Sequence, residues 1–312
     1  MPLSSFVFPG QGSQSVGMLA DIALVFPEVE VTFAEASAVL GFDLWKLVKE
    51  GPATDLDQTM HTQPALLTAS QALWCIIQAR SAIRPVVLAG HSLGEYSALV
   101  CANAIAFPDA VKLVAARGQY MQDAVPAGQG ALAAIVGLSD DAVKTLCANA
   151  AGDDVLAPAN FNSPGQVVIA GHTAAVLRAL PLAKEMGAKL VKQLPVSVPS
   201  HCILMKPAAE KLADLLETIV IKQPDLPVIN NVDAVIYENA SHIRDGLSRQ
   251  LVMPVRWVEV IQALKKQHID HIVECGPGKV LSGLNKRILA DIQLTNTADL
   301  ASLQGLLSAG GS

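Results

Sequence analysis

Val86-Val87-Leu88-Ala89-Gly90-His91-Ser92-Leu93-Gly94-Glu95-Tyr96-Ser97-Ala98-Leu99-Val100 is the stretch whose reading decides the fold. A short apolar run ends in Gly-His-Ser-Leu-Gly, and a helix-compatible segment follows. That is the form of a strand, a tight turn and a helix, with a serine at the turn. In a G-x-S-x-G elbow the turn is strained, so the serine stands clear of the sheet with its hydroxyl toward a ligand. Gly90 and Gly94 suit the positions where strand and helix come too close for a side chain. The helix that follows aims its first N–H groups near the hydroxyl, where they can meet a developing oxyanion. The bare pattern is a weak signal, and the strand before it and the helix after it strengthen it. An inert serine in a glycine-bracketed turn is the competing reading.

The 312 residues are 51% hydrophobic and 16% charged, which describes a large aliphatic core suited to a sheet covered by helices. The longer apolar stretches are broken by polar residues such as Asn103, and none reaches the roughly 18 residues of a membrane span. The N-terminal residues have neither a basic nor a long apolar segment, so no secretory signal is expected. Five cysteines are scattered without metal-ligand or redox spacing, so no metal site is expected. They read as buried thiols of a cytoplasmic protein, with Cys202 singled out because it adjoins His201. A net charge of −6 argues against a nucleic-acid binder.

In chain order, Ser4–Phe8 reads as a first strand running into Pro9-Gly10-Gln11-Gly12-Ser13-Gln14, a tight loop with no phosphate-binding Gly-Lys-Ser/Thr after it. Residues 18–50 read as helical, interrupted at Pro27 and Gly41. Thr62 is expected to cap the next helix, with Pro64 in its first turn. Residues 126–196 have their own rhythm, β-α-β-β-α-β, the order of a ferredoxin-like unit. Beyond it come helices near 207–217, 243–252, 257–266 and 280–289, and strands at 227–229 and 271–275. The tail, rich in Asn, Thr, Ala, Ser and Gly, is expected to end in disorder at 309–312.

Two further residues invite a chemical reading. Arg117 sits in an apolar helix, where a buried guanidinium needs an anion or several acceptors. Sequence alone favours the alternative, a snorkelling arginine with its head in water. His201 follows Pro199-Ser200 in a loop, a place where a rigid scaffold can hold a base. His91 is its rival, although its side chain should point away from that of Ser92 across the turn.

Seven motifs in order now resemble one family, the malonyl-CoA:acyl-carrier-protein transacylases of fatty-acid synthesis. They are Phe8-Pro9-Gly10-Gln11-Gly12-Ser13-Gln14; Gly90-His91-Ser92-Leu93-Gly94-Glu95; Arg117-Gly118; Asn160-Phe161-Asn162-Ser163-Pro164-Gly165-Gln166; Pro199-Ser200-His201; Gln250-Leu251 with Pro254-Val255-Arg256-Trp257; and Gly276-Pro277-Gly278-Lys279-Val280-Leu281. The resemblance covers nearly the whole chain. It implies an α/β fold: an α/β-hydrolase-like core with a mostly parallel sheet, formed by 1–125 and 197–312, and an inserted ferredoxin-like (βαββαβ) subdomain, 126–196.

By that resemblance Ser92 is the nucleophile and His201 its general base, with Gln11 and Leu93 supplying oxyanion-hole N–H groups. Arg117 takes the malonyl carboxylate, and the backbone carbonyl of Gln250 orients the histidine. The implied substrates are malonyl-CoA and phosphopantetheinylated acyl carrier protein, with no cofactor, no nucleic acid and no membrane, and the implied state is a monomer. An acidic, transiently bound carrier protein would meet a basic rim, for which Lys184, Lys189, Lys192, Lys279, Lys286 and Arg287 are candidates. The alternatives are a serine hydrolase or thioesterase on the same core, a non-catalytic acyl-CoA-binding domain, and an acyltransferase of polyketide synthesis or malonate decarboxylation.

Overall fold

A computed structural model describes residues 3–196 and 198–309. Two sheets organise it. The larger has five strands in the order β7-β2-β1-β8-β9: β1 is Ser4–Phe8, β2 Pro85–Gly90, β7 Val228–Ile229, β8 His271–Glu274 and β9 Gln293–Asn296. All its pairings are parallel. Successive side chains of a strand face opposite ways, and here both faces are dry. Phe6, Phe8, Leu88 and Val273 enter one apolar cluster, and Val7, Val87, Ala89 and Ile272 the other. That is the arrangement expected of a parallel sheet covered by helices on both sides. Phe6 and Phe8 meet the edge of Trp74, at centroid distances of 5.6 and 6.3 Å, and so anchor the long helix Thr59–Arg80 to the sheet.

The smaller sheet has four strands in the order β4-β5-β3-β6: β3 is Gly130–Val136, β4 Leu156–Ser163, β5 Gln166–His172 and β6 Leu190–Gln193. Its pairings are antiparallel. Ser139 caps the helix Asp140–Ala151 by accepting from the Ala142 N–H at 3.2 Å. That helix and Thr173–Glu185 cover one face of the sheet, on Ala133, Ile135, Val167 and Ile169. The other face presents Leu132 and Val168 toward the larger unit, beside Cys202. The two units are joined where the Phe161 N–H donates to the Val255 carbonyl and the Val255 N–H to that of Ala159, both at 2.9 Å. The fold class is therefore α/β as read, with a parallel core sheet and a βαββαβ unit.

One expectation about a helix start needs correction. The long helix starts at Thr59, not near Thr62, so Pro64 lies inside it. The earlier start is held from outside: the Met60 N–H donates to Gln122 Oε1 at 2.8 Å, and the Thr62 hydroxyl donates back to the Leu56 carbonyl at 2.5 Å. The tail, in which the sequence reading names no element, supplies β9 and the helix Leu300–Ala309. Parallel pairing of β9 with β8, and Leu303 and Leu306 in the core, stabilise a segment of weak intrinsic pattern. The expected disorder at 309–312 falls outside the described residues except at Ala309, which ends that helix.

The register explains how the elbow is placed. Phe8 pairs with Gly90, so β1 and β2 end together, and the His91 N–H donates to the Phe8 carbonyl at 3.0 Å. The loop after β1 thereby lies beside the elbow after β2, at the carboxyl ends of the strands, where open α/β sheets bind ligands. A Cβ on Gly90 would lie 1.9 Å from the Gly94 carbonyl, and one on Gly94 2.0 Å from the Phe8 oxygen. Both obstacles are backbone, which cannot turn aside. Gly94→Ala is therefore expected to cost about 3 kcal/mol or more of stability, read as a lowered urea midpoint; an unchanged midpoint would contradict this close approach.

Candidate active site

Ser92 stands on the elbow with φ of 51°, a left-handed conformation that is uncommon outside glycine. Its backbone is held by Asn231, just past β7. Asn231 Oδ1 accepts the Ser92 N–H, and its Nδ2 donates to the Gly90 carbonyl, both at 2.6 Å. The side-chain amide thus bridges the turn and fixes a conformation the chain would otherwise avoid. Because the Ser92 N–H is occupied, it is not free to meet a ligand. Among the described residues, the N–H groups of Leu93 and Gln11 donate to no protein acceptor, and both residues line the cavity in front of Ser92.

His201 also has a positive φ, 63°, which lifts its ring out of the loop after β6. Its Nε2 lies 2.8 Å from Ser92 Oγ, and its Nδ1 lies 2.7 Å from the Gln250 carbonyl oxygen. A carbonyl can only accept, so Nδ1 carries the hydrogen and Nε2 is left with the lone pair facing the serine hydroxyl. No carboxylate is needed to fix this tautomer. Burial first, and the Arg117 charge second, push the His201 imidazole down to about 3, so the ring is neutral near pH 7.

Arg117, on the helix Phe107–Asp123, is 1% exposed. The snorkelling reading is therefore overturned: the head is buried among protein acceptors. The guanidinium is held by Gln63 Oε1 at 2.8 Å, Gln250 Oε1 at 2.9 Å and, more loosely, Ser92 Oγ at 3.3 Å. The Tyr96 ring lies 5.2 Å from its central carbon. Its buried Nε–H has no partner among the described residues. A buried cation beside a serine hydroxyl, with a donor unspent, is suited to an anionic ligand.

His91 turns away from Ser92, as expected. Its Nε2 meets Asn162 Oδ1 of the smaller unit at 2.8 Å, and its ring packs on Trp257 with centroids 5.4 Å apart. Cys202 is buried; its thiol donates to the Pro199 carbonyl and is pushed up to about 11 by burial, so it is not a nucleophile near neutral pH. Ser92, His201 and Arg117 open onto a cavity of about 180 Å³ whose far wall includes Leu132, Asn160 and Val168 of the smaller sheet. The six rim residues Lys184, Lys189, Lys192, Lys279, Lys286 and Arg287 are exposed. Arg287 donates to Gln166 Oε1 across the junction of the two units, and Lys279 pairs with Asp299 at 3.2 Å.

Sequence reasoning placed Ser92, His201, Arg117, Gln11, Leu93 and Gln250 together, and the structure brings them together. It assigned nothing to Glu95, Asn231, Gln63 or the Gln250 side chain. Glu95 is fully buried, accepting from Tyr237 O–H on Oε1, and from the Asn231 N–H at 2.9 Å and Gln250 Nε2 at 3.0 Å on Oε2. Burial pushes its carboxyl up to about 7 against those hydrogen bonds. The available signal was a lone acid on a helix of otherwise small and apolar residues.

Chain comparison gives the class. Residues 5–303 match the family described as acyl transferase domain, and the chain belongs to that family. Among similar proteins, the malonyl CoA-acyl carrier protein transacylase of Escherichia coli K12 is 58% identical over 285 residues, covering 91% of this chain and 92% of that one. The enzyme of that name from Salmonella typhimurium is 55% identical over 304 residues, 97% of this chain and 98% of the other. Among solved structures, a malonyl-transacylase in complex with its type II PKS acyl-carrier protein superposes with a TM-score of 0.97 at 52% identity, over 98% of this chain and 99% of that one.

His201 and Glu95 act on stability with opposite signs. His201 falls from 6.5 to about 3 on folding, so the unfolded chain binds the extra proton and stability drops as pH falls from 6.5 toward 3. Glu95 rises from 4.5 to about 7, so its contribution is present below 4.5 and is lost as pH rises through 7. Between 4.5 and 6.5 the two offset. Removing the Glu95 titration in Glu95→Gln should make stability rise with pH in that window more steeply than in the wild type, by up to about 1.4 kcal/mol per pH unit. Urea midpoints across that range check it; equal slopes would refute the assignment.

Proposed function

We propose that this chain transfers the malonyl group of malonyl-CoA to the phosphopantetheine thiol of acyl carrier protein, through a malonyl ester on Ser92, to supply fatty-acid chain elongation. The observation that carries this reading is Arg117: a buried guanidinium 3.3 Å from the Ser92 hydroxyl, with its Nε–H unspent. A hydrolase acting on neutral acyl groups has no use for such a charge. The names borne by the relatives support the same choice.

In the first half-reaction Ser92 Oγ attacks the thioester carbon and its proton passes to His201 Nε2. The Gln250 carbonyl, bonded to Nδ1, stabilises the imidazolium without adding a second anion beside an anionic substrate. The oxyanion is met by the Gln11 and Leu93 N–H groups. Collapse expels the CoA thiolate, which takes the proton from His201. The second half-reaction reverses these steps with the carrier thiol as nucleophile. Throughout, Arg117 holds the malonyl carboxylate, using Nε–H and the Nη2 hydrogen that now rests on Ser92. The nucleophile, the base and the anion site come from one chain, which supports a monomer as the working unit; the cytoplasm as its location and the lack of a resident cofactor are parts of the same proposal. Among the described residues no helix is long and apolar enough to cross a membrane.

Arg117→Ala is expected to lower kcat/KM for malonyl transfer about a hundredfold or more while sparing acetyl transfer; unchanged malonyl-to-acetyl selectivity would overturn the anion-site role. Labelled malonyl-CoA should leave a trapped ester on Ser92 that persists until carrier protein is added; hydrolysis before the thiol arrives would favour a thioesterase. Charge reversal at Lys286 and Arg287 should raise KM for an acidic carrier protein and leave ester formation from malonyl-CoA intact. Unaltered transfer would remove that pair from the rim.

A further inference from the structure

Glu95 does not line the cavity in front of Ser92, yet three parts of the site converge on it. One oxygen, Oε2, accepts both the Asn231 N–H and Gln250 Nε2. Asn231 in turn holds the Ser92 N–H. Gln250 gives its Oε1 to Arg117 and its backbone carbonyl to His201, and its Nε2 also donates to the Ser92 carbonyl at 3.1 Å. The Gln250 amide therefore has a fixed orientation: oxygen toward the guanidinium, nitrogen toward the carboxylate. Glu95 and Arg117 are opposite charges separated by one amide, and each polarises it in the same sense.

We infer that Glu95 is a positioning residue and the counter-charge of Arg117: its carboxylate balances the guanidinium while the anion site is empty, and it takes up a proton when the acyl carboxylate docks. The inference rests on the malonyl-transfer reading above. An arriving carboxylate neutralises the charge that favours ionised Glu95 and adds a like charge nearby, and both effects favour the neutral acid. The bond formed is O–H on Glu95 Oε1 and the bond broken is an O–H of solvent hydronium, which is left as water. Tyr237, which donates its hydroxyl hydrogen to Oε1 of the carboxylate, can accept from Oε1–H once the acid is neutral, since a phenol does both. Oε2 keeps its two donors, so the scaffold is unaltered by the change of charge.

The other ionisable groups facing Glu95 keep their charge states near neutral pH. Arg117 stays cationic although burial lowers it, and burial pushes Tyr96 up to about 12 and holds Tyr237 well above its usual value. His201 is held at about 3 and buried His91 below its usual value. Arg249, which acts on Tyr237 from behind, is paired with Asp233 at 2.6 Å and Asp245 at 2.7 Å. Glu95, at about 7, is the group placed to exchange a proton.

Malonyl-CoA and acetyl-CoA share every titrating group except the carboxylate, so the ratio of their kcat/KM values isolates the effect. Measured with carrier protein from about pH 6 to 8.5, the ratio should fall as pH rises through 7, about tenfold for each unit by which the docked carboxylate raises Glu95. Glu95→Gln, which keeps the shape and can donate to Tyr237, should make the ratio flat. Tyr237→Phe removes a hydrogen bond that favours the carboxylate, so it should move the fall to higher pH while leaving nucleophile, base and anion site in place; it keeps the test open should Glu95→Gln fold poorly. A flat ratio in the wild type, or the same fall in all three proteins, overturns the inference while leaving malonyl transfer standing. Failure of wild-type protein to form any malonyl ester at any pH overturns the malonyl reading itself, and is thereby told apart.

Discussion

A guanidinium buried to 1% exposure is the constraint from which the rest of the site follows. Taking such an ion out of water costs several kcal/mol unless acceptors surround it. The chain answers with two glutamine oxygens, a serine hydroxyl and an aromatic face, all neutral. The carboxylate that balances the charge is withheld by one amide. That distance matters. A direct Arg117–Glu95 pair would saturate the fork and leave nothing for a ligand carboxylate, whereas neutral acceptors hold the fork in place and keep its charge available.

The same charge explains the choice of partner for the base. A carboxylate on His201 Nδ1 would be drawn toward Arg117, and its own charge would repel an anionic acyl group. A backbone carbonyl fixes the tautomer equally well and carries no charge to misplace. Burial first, and the Arg117 charge second, weaken the empty-site base. A substrate carboxylate cancels that charge, so the base gains strength when an acyl group of the right kind is bound. Selectivity and basicity thus draw on one interaction.

How much of this was legible in the sequence follows from the range of each signal. The elbow is largely local: Gly90 must clear Gly94 four residues on, although Gly94 must itself clear the Phe8 carbonyl of the neighbouring strand, and the apolar run before the turn reads as a covered strand. The βαββαβ order was equally readable, because strand-like and helix-like runs alternate over a short segment, and Ser139 caps the first of its helices. Arg117 misled a local reading, since its acceptors come from positions 54 and 133 residues away in sequence. Glu95 was silent for the same reason, its partners lying 136 to 155 residues on. Pro64 was misread and β9 passed unnoticed because tertiary contacts, a Gln122 side chain in one case and parallel pairing in the other, override weak local preference.

The smaller unit completes the argument, because an acyl ester beside a neutral histidine is also a target for water. The sheet that covers the cavity presents Leu132 and Val168 to it, side chains that offer water no hydrogen bond. Its position is fixed next to the nucleophile itself: Asn162 binds the residue before Ser92, and the Val255 strand segment pairs with β4 only a few residues after Gln250. The contacts that seat the cover therefore run through the same two stretches that place the serine and orient the base. A shift of one unit against the other would disturb Ser92 and His201 as it admitted solvent, so a site open to bulk water is also one in which the serine and its base are poorly aligned.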